Sequence, residues 1–169
     1  MPIASSDIKF HLSGGAGNSD PNGALGGAIS TTQITDATIA NLFDNVSGAE
    51  AAAGDTEYRC LYVKNNHGSL TLQGAKVWVE TNTPSTDTSA EIGLGSSAVN
   101  GTEQTVANES TAPGSVSFST AAGEGNALTI GDIPAGQHKA VWVKCVVGSG
   151  AAAYNADSVV IKVQGDTAA

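Results

Sequence analysis

Apolar and polar residues alternate with a period of two over much of this chain, the signature of half-buried β-strands. The longest such run is 139–147 (KAVWVKCVV). There Val141, Val143, Cys145 and Val147 share one face, and Trp142, Lys144 and Val146 share the other. The run is unbroken by Gly or Pro and predicts a buried central strand of an antiparallel sheet. It is preceded by Asp132-Ile133-Pro134-Ala135-Gly136, where Pro134 fixes φ and Gly136 permits a positive φ, the chemistry of a tight turn. Shorter runs predict strands over 8–12, 58–64, 75–80, 90–94, 104–107, 116–119, 127–130 and 158–163. Many short strands separated by Gly, Pro and Asn turns, with almost no helix, predict an all-β sandwich or barrel.

The N-terminal third is different. Residues 13–27 (SGGAGNSDPNGALGG) are rich in glycine and poor in apolar mass. Too little surface can be buried there to offset the ordering entropy, which predicts a mobile loop or an arm that orders against a partner. Oxygen-bearing side chains at Asn18, Asp20 and Asn22 before Gly23 imitate the start of a calcium loop. The twelfth position is Ile29 rather than an acid, and Pro21 interrupts, so a plain turn is expected. Residues 35–46 (TDATIANLFDNV) place Ile39, Leu42, Phe43 and Val46 at helical spacing, capped by Thr35 or Asp36; the run is short and must pack on the sheet to be a helix, and an extended arm is the other reading. The expected organisation is therefore an N-terminal strand, Gly-rich arm and helix-like segment over 1–54, and a β-sandwich domain over 55–169.

Composition narrows the function. The chain has 169 residues, a net charge of −9 and only seven Lys and Arg. Clustered basic groups, which nucleic acids and anionic membranes require, are missing, so no nucleic-acid or membrane partner is expected. Charged residues make up 14%, against about 25% in average soluble domains, a bias typical of subunits within large assemblies. The first residues, Met1-Pro2-Ile3-Ala4-Ser5, carry neither a basic n-region nor an apolar stretch, so synthesis in the cytoplasm without a secretory signal is expected.

Little points to chemistry. His11, His67 and His138 lie far apart and match no metal-ligand spacing. Asp87, Glu91, Glu103 and Glu109 are scattered, and no nucleophile elbow occurs. Gly14-Gly15-Ala16-Gly17 lacks the lysine of a phosphate loop. No enzyme activity, catalytic residue, cofactor or metal site is predicted. Cys60 and Cys145 are expected as small buried hydrophobes; the order Cys60, Trp78, Cys145 also admits an inter-sheet disulfide, which a cytosolic origin opposes.

Two strands share a pattern: Val77-Trp78-Val79 and Val141-Trp142-Val143. With the valines facing the core, both tryptophans lie on the opposite face. If the strands are neighbours, Trp78 and Trp142 form a cross-strand pair on an outer surface. The first reading of that face is that the arm or a loop of the same chain covers it. The second is a protein contact, since exposed aromatics ringed by polar groups mark interfaces, and a third is sugar stacking. On the contact reading Trp78 and Trp142 are candidate contact residues, together with Phe10, Leu25 and Ile29 of the arm.

The Val63-Lys64-Asn65-Asn66-His67-Gly68 turn, Val77-Trp78-Val79 and the Ile133-Pro134-Ala135-Gly136 turn are similar to immunoglobulin-like adhesion modules. With Leu42-Phe43-Asp44, Gly54-Asp55-Thr56-Glu57-Tyr58-Arg59, Ala112-Pro113-Gly114 and the closing Gly165-Asp166-Thr167, the chain resembles virion structural proteins of tailed bacteriophages over about 40–167. That resemblance implies an immunoglobulin-like antiparallel β-sandwich with an extended Gly-rich N-terminal arm. It also implies a capsid decoration (cement) protein in the virion, acting as a homo-oligomer on the major capsid protein or other virion proteins. A tail or baseplate component and a carbohydrate-binding surface module are the alternatives.

Overall fold

A computed structural model describes residues 2–167. The chain forms β1 (Ile8–Ser13), β2 (Gly26–Gly27), β3 (Ile29–Gln33), α1 (Gly48–Ala53), β4 (Asp55–Asn65), β5 (Leu72–Thr81), β6 (Thr88–Leu94), β7 (Glu103–Thr105), β8 (Leu128–Ile133), β9 (His138–Val147) and β10 (Val160–Thr167). Strands account for 42% of residues and helix for 9%, an all-β protein. Every strand ladder is antiparallel: a five-stranded sheet ordered β3-β1-β4-β9-β6, a three-stranded sheet ordered β10-β5-β8, and a short β2-β7 ladder.

The two larger sheets enclose the main core. Leu61, Val63, Ile92, Val141 and Val143 of the first meet Leu72, Ala75, Val77, Val79 and Ile133 of the second. The alternation read along 139–147 holds in the main: Val141 and Val143 belong to this core and Trp142 points away from it.

A second apolar cluster lies on the other side of the five-stranded sheet. Cys60, Tyr62, Ala140 and Trp142 are wholly buried there against Ile29, Tyr58, Val106, Val116 and Phe118. The central β4–β9 pair is thus apolar on both faces. Its outer face is roofed by the glycine-rich segment and by residues 95–119. Cys60 N–H donates to the Ala24 carbonyl at 2.7 Å and Val106 N–H to the Leu25 carbonyl at 3.0 Å, tying both segments to the sheet and to each other.

This roof corrects the expectation of a mobile or partner-dependent arm. Residues 13–27 are folded within the chain. Gly15 N–H bonds the Ala28 carbonyl at 2.8 Å, Asn18 Nδ2 donates to the Ser13 carbonyl at 2.7 Å, and β3 joins the sheet beside β1. Glycine is needed for close approach rather than for flexibility. A Cβ on Gly26, whose φ is +94°, would collide with the Gln104 carbonyl oxygen. The calcium-like sequence is a turn: Asp20 Oδ1 accepts from Asn22 N–H at 3.0 Å, and Asn18 Oδ1 accepts from Asp20 N–H at 3.0 Å.

The helix expected over 35–46 is replaced by irregular turns, with Ala37 and Ala40 both at φ +56°. The helix forms instead at α1. There Ser47 and Glu50 make a reciprocal capping box, and the segment GAEAAA is rich in alanine. The Thr, Asn, Asp and β-branched residues of 35–46 are poor helix formers by comparison, and Leu42 is drawn into the main core. The strand expected over 116–119 is reduced to a bridge between Ser119 and Ile92.

Cys60 and Cys145 are free thiols. Cys60 pairs with Trp142 across the ladder, whereas Cys145 pairs with Glu57. Three rungs separate them, about 10 Å, and they point to opposite faces, so a disulfide is geometrically barred. Trp142→Ala is expected to destabilise the fold by about 3–5 kcal/mol, because it empties the centre of the outer cluster. Urea unfolding followed by circular dichroism measures it.

Candidate functional site

The tryptophan pair does not exist as a surface. Trp78 sits on β5 and Trp142 on β9, which belong to different sheets. Trp142 is 0% exposed beneath the roof, and Trp78 is 5% exposed on the outer face of the three-stranded sheet. There the Glu80 carboxylate accepts from Trp78 Nε1 at 2.6 Å and binds Lys162 Nζ at 2.7 Å. Neither indole offers an open platform for a partner or a sugar ring. Phe10 packs half-buried against the main core and Ile29 against the outer cluster, while Leu25 lies half-buried in the roof. Each is engaged within the chain.

The exposed apolar groups lie elsewhere. Ile39 is 84% exposed and Val46 48% exposed, both in the loop between β3 and α1; Tyr154 is 54% exposed in the loop between β9 and β10. The first loop is anchored, not loose. Leu42 is buried, Phe43 packs against the main core, and Asn41 Nδ2 closes the turn on the Thr35 carbonyl at 2.9 Å. Two alanines in the left-handed region flank Ile39, a conformation that non-glycine residues adopt only when their surroundings impose it. The second loop meets α1 through Ala151 N–H on the Ala51 carbonyl at 2.9 Å. Sequence periodicity had placed Ile39 and Leu42 on one helical face. The turns that replace the helix separate them, one to solvent and one to the core.

Beneath the first loop lies the most polar group in the interior. The Arg59 side chain is fully enclosed. Its Nη2 donates to Glu109 Oε2 at 2.6 Å and Asn22 Oδ1 at 3.1 Å, its Nη1 donates to the Tyr58 carbonyl at 3.3 Å, and Glu57 Oε2 stands 3.6 Å away. Phe43 lies over the guanidinium at 5.4 Å. One residue of β4 therefore gathers the glycine-rich segment, the 106–114 loop and the β3–α1 loop. Charge balance and fork geometry suit Arg to this task.

Glu57 responds to the same surroundings. Burial pushes its carboxyl up to about 7, Arg59 opposes the rise, and Glu109, Asp44 and Asp55 add to it. Oxygens of Glu50, Asp55 and Glu57 lie within 4.8 Å of one another, beside a cleft of about 20 Å³ shared with Phe43, Val46 and Cys145. The Arg59 guanidinium already stands beside Glu57, 3.6 Å from its Oε2. Carboxylates outnumber the single guanidinium here, and the excess adds to burial in holding the Glu57 proton on.

Glu103, Lys139, Glu91 and the three histidines are each engaged within the chain. Burial favours protonation of Glu103, but hydrogen bonds from the Ser97 and Ser96 N–H groups, the Ser96 hydroxyl and Gln104 outweigh it and hold the carboxyl down at about 2. Lys139 Nζ caps the same loop through the Gly95 and Ser97 carbonyls. His11 Nδ1 meets the Ser30 carbonyl at 3.1 Å, His67 Nδ1 accepts from two turn N–H groups, and His138 stands edge-on to Tyr62. Glu91 pairs with Lys144.

A scan against protein-family models and searches of curated proteins and of solved structures return no match.

The Glu57 shift has a definite sign. The folded state holds this proton more tightly than the unfolded chain, whose carboxyl titrates near 4.5. The resulting stability is complete below pH 4.5 and is lost as pH rises through about 7. Glu57→Gln is expected to melt higher than the parent at pH 8, by on the order of 1–2 kcal/mol after solvent screening, and to converge with it below pH 4.5. Thermal melts across that range check it.

Proposed function

We propose that the chain is a structural virion protein of the capsid-decoration type, built on an immunoglobulin-like sandwich, that binds the head shell through its exposed loops. The observation that carries this reading is Ile39. An isoleucine 84% exposed sits on a loop of imposed backbone shape that is pinned by Leu42, Phe43 and Arg59. A rigid scaffold that presents apolar side chains on anchored loops is a docking device, because the ordering entropy is settled before the partner arrives.

Strand order supports the immunoglobulin-like part. The neighbours β1-β4-β9-β6 follow the A-B-E-D order of that fold, and β5-β10 follow its C-F pair. The chain departs from the pattern in three ways. No strand lies in the G position beside β10, β8 occupies the far side of β5, and Cys145 stands on the E strand rather than F. The acidic surface, at net −9, favours a basic face on the partner. Resemblance to tailed-phage virion proteins supplies the shell as that partner.

Purified protein mixed with expanded head shells that lack it should bind saturably, in a fixed ratio to the shell subunits, by co-sedimentation. Ile39→Asp should weaken that binding at least about tenfold without moving the melting temperature, since the side chain touches solvent. Absence of saturable binding, or binding indifferent to Ile39→Asp and Tyr154→Ala together, rejects the docking role.

A further inference from the structure

Two open sheets have four edges, and three of them are closed. Along β6, Ile92 and Ser119 exchange backbone hydrogen bonds at 2.9 and 3.0 Å, and Asn82 takes both polar groups of Ala90. Along β3, Thr31 N–H and hydroxyl are occupied by the Ala16 carbonyl. The β8 edge is broken by register shifts against β5 and by Gly131 at φ +89°. These are the ordinary devices that stop sheets from adding foreign strands.

The fourth edge, β10, also shifts register against β5, at Val160/Ile161 and Gln164/Asp166, but both extra residues lie on β5. β10 itself has no bulge and no positive φ, whereas β8 carries an extra residue of its own between Thr129 and Gly131. β10 runs eight residues with a regular in-out alternation. Among the described residues its backbone pairs only with β5. Ile161, Val163, Gly165 and Thr167 face the core half-covered; Val160, Lys162, Gln164 and Asp166 face solvent.

We propose that β10 is a self-association edge, on which β10 of a second copy pairs antiparallel about Gln164, joining two three-stranded sheets into one of six. The occupant is chosen by the strand's own sequence. A two-fold axis at Gln164 places Lys162 opposite Asp166 of the second copy, twice over, and overlaps nearly the whole strand from 161 to 167. On the core face it sets Val163 opposite Gly165 and Ile161 opposite Thr167, a large residue against a small one at each rung. Shifting the axis to Val163 or Gly165 removes the charge match. Lys162 is free to turn toward the second copy, because its bond to Glu80 is half in solvent. The pairing is strand addition of the kind sheet edges offer when left open. It is independent of what the exposed loops bind.

Light scattering and sedimentation equilibrium should show a concentration-dependent dimer of the 16.8 kDa chain, and β10 amides should exchange more slowly as concentration rises. Asp166→Lys alone sets lysines against lysines, and Lys162→Asp alone sets aspartates against aspartates. Each should weaken the dimer about tenfold or more, with circular dichroism unchanged. Mixing the two single variants should restore a heterodimer, because each then supplies the charges the other lacks. The double variant Lys162→Asp/Asp166→Lys should also dimerise by itself. A monomer at every soluble concentration, or a dimer untouched by the single changes, overturns the proposal. If a single variant misfolds, the parent's mass and the β10 exchange rates still decide it.

Discussion

The β4–β9 pair is apolar on both of its faces, and the rest of the molecule is arranged to meet that demand. Ten consecutive rungs run from Asp55 opposite Val147 to Lys64 opposite His138, with no register shift. One face supplies Leu61, Val63, Val141 and Val143 to the core between the sheets. The other supplies Cys60, Tyr62, Ala140 and Trp142, which need cover of their own. A strand pair of this kind cannot stop at two layers, because leaving Tyr62 and Trp142 in water would forgo several kcal/mol of burial.

The cover is made of irregular chain, and this explains the polar chemistry of the interior. Loops packed on a sheet bring backbone groups that must be hydrogen-bonded away from water. Tyr62 hydroxyl donates to the Gly27 carbonyl and accepts from Glu103 N–H; Ser13 hydroxyl accepts from Gly26 N–H. Arg59 and Glu103, both buried, hydrogen-bond the loops around them. Arg59 holds three segments to β4, and Glu103 organises the turn at 95–103. Perturbed carboxyls are often a sign of catalysis. Here burial accounts for the raised Glu57 carboxyl, and hydrogen bonds from the 96–104 segment account for the lowered Glu103.

The exposed apolar groups sit outside this sealed centre. Of the large apolar side chains left in solvent, Ile39, Val46 and Tyr154 lie on loops whose bases are pinned and Val160 lies at the start of β10. With both faces of the main sheet covered, the loops and the β10 edge are what remain exposed.

Strand positions were readable because side-chain period follows backbone geometry directly, and eight predicted runs correspond to observed strands. The faces of 139–147 were readable for the same reason. What periodicity cannot report is which strands become neighbours. The repeated Val-Trp-Val looked like an adjacent pair, yet β5 and β9 went to different sheets, and Trp142 was enclosed by a roof made of distant residues. Glycine content looked like disorder because entropy was weighed without the contacts that offset it; those contacts come from residues 95–119, far along the chain. The same holds for 35–46, where helical spacing of Ile39, Leu42 and Phe43 was real but lost to the pull of the core on Leu42. Alternation along the chain determined the all-β class and the inward faces of the strands. Only tertiary structure decided which tryptophan is hidden, where the apolar surface lies and which edge stays open, because each depends on segments that meet only after the sheet has formed.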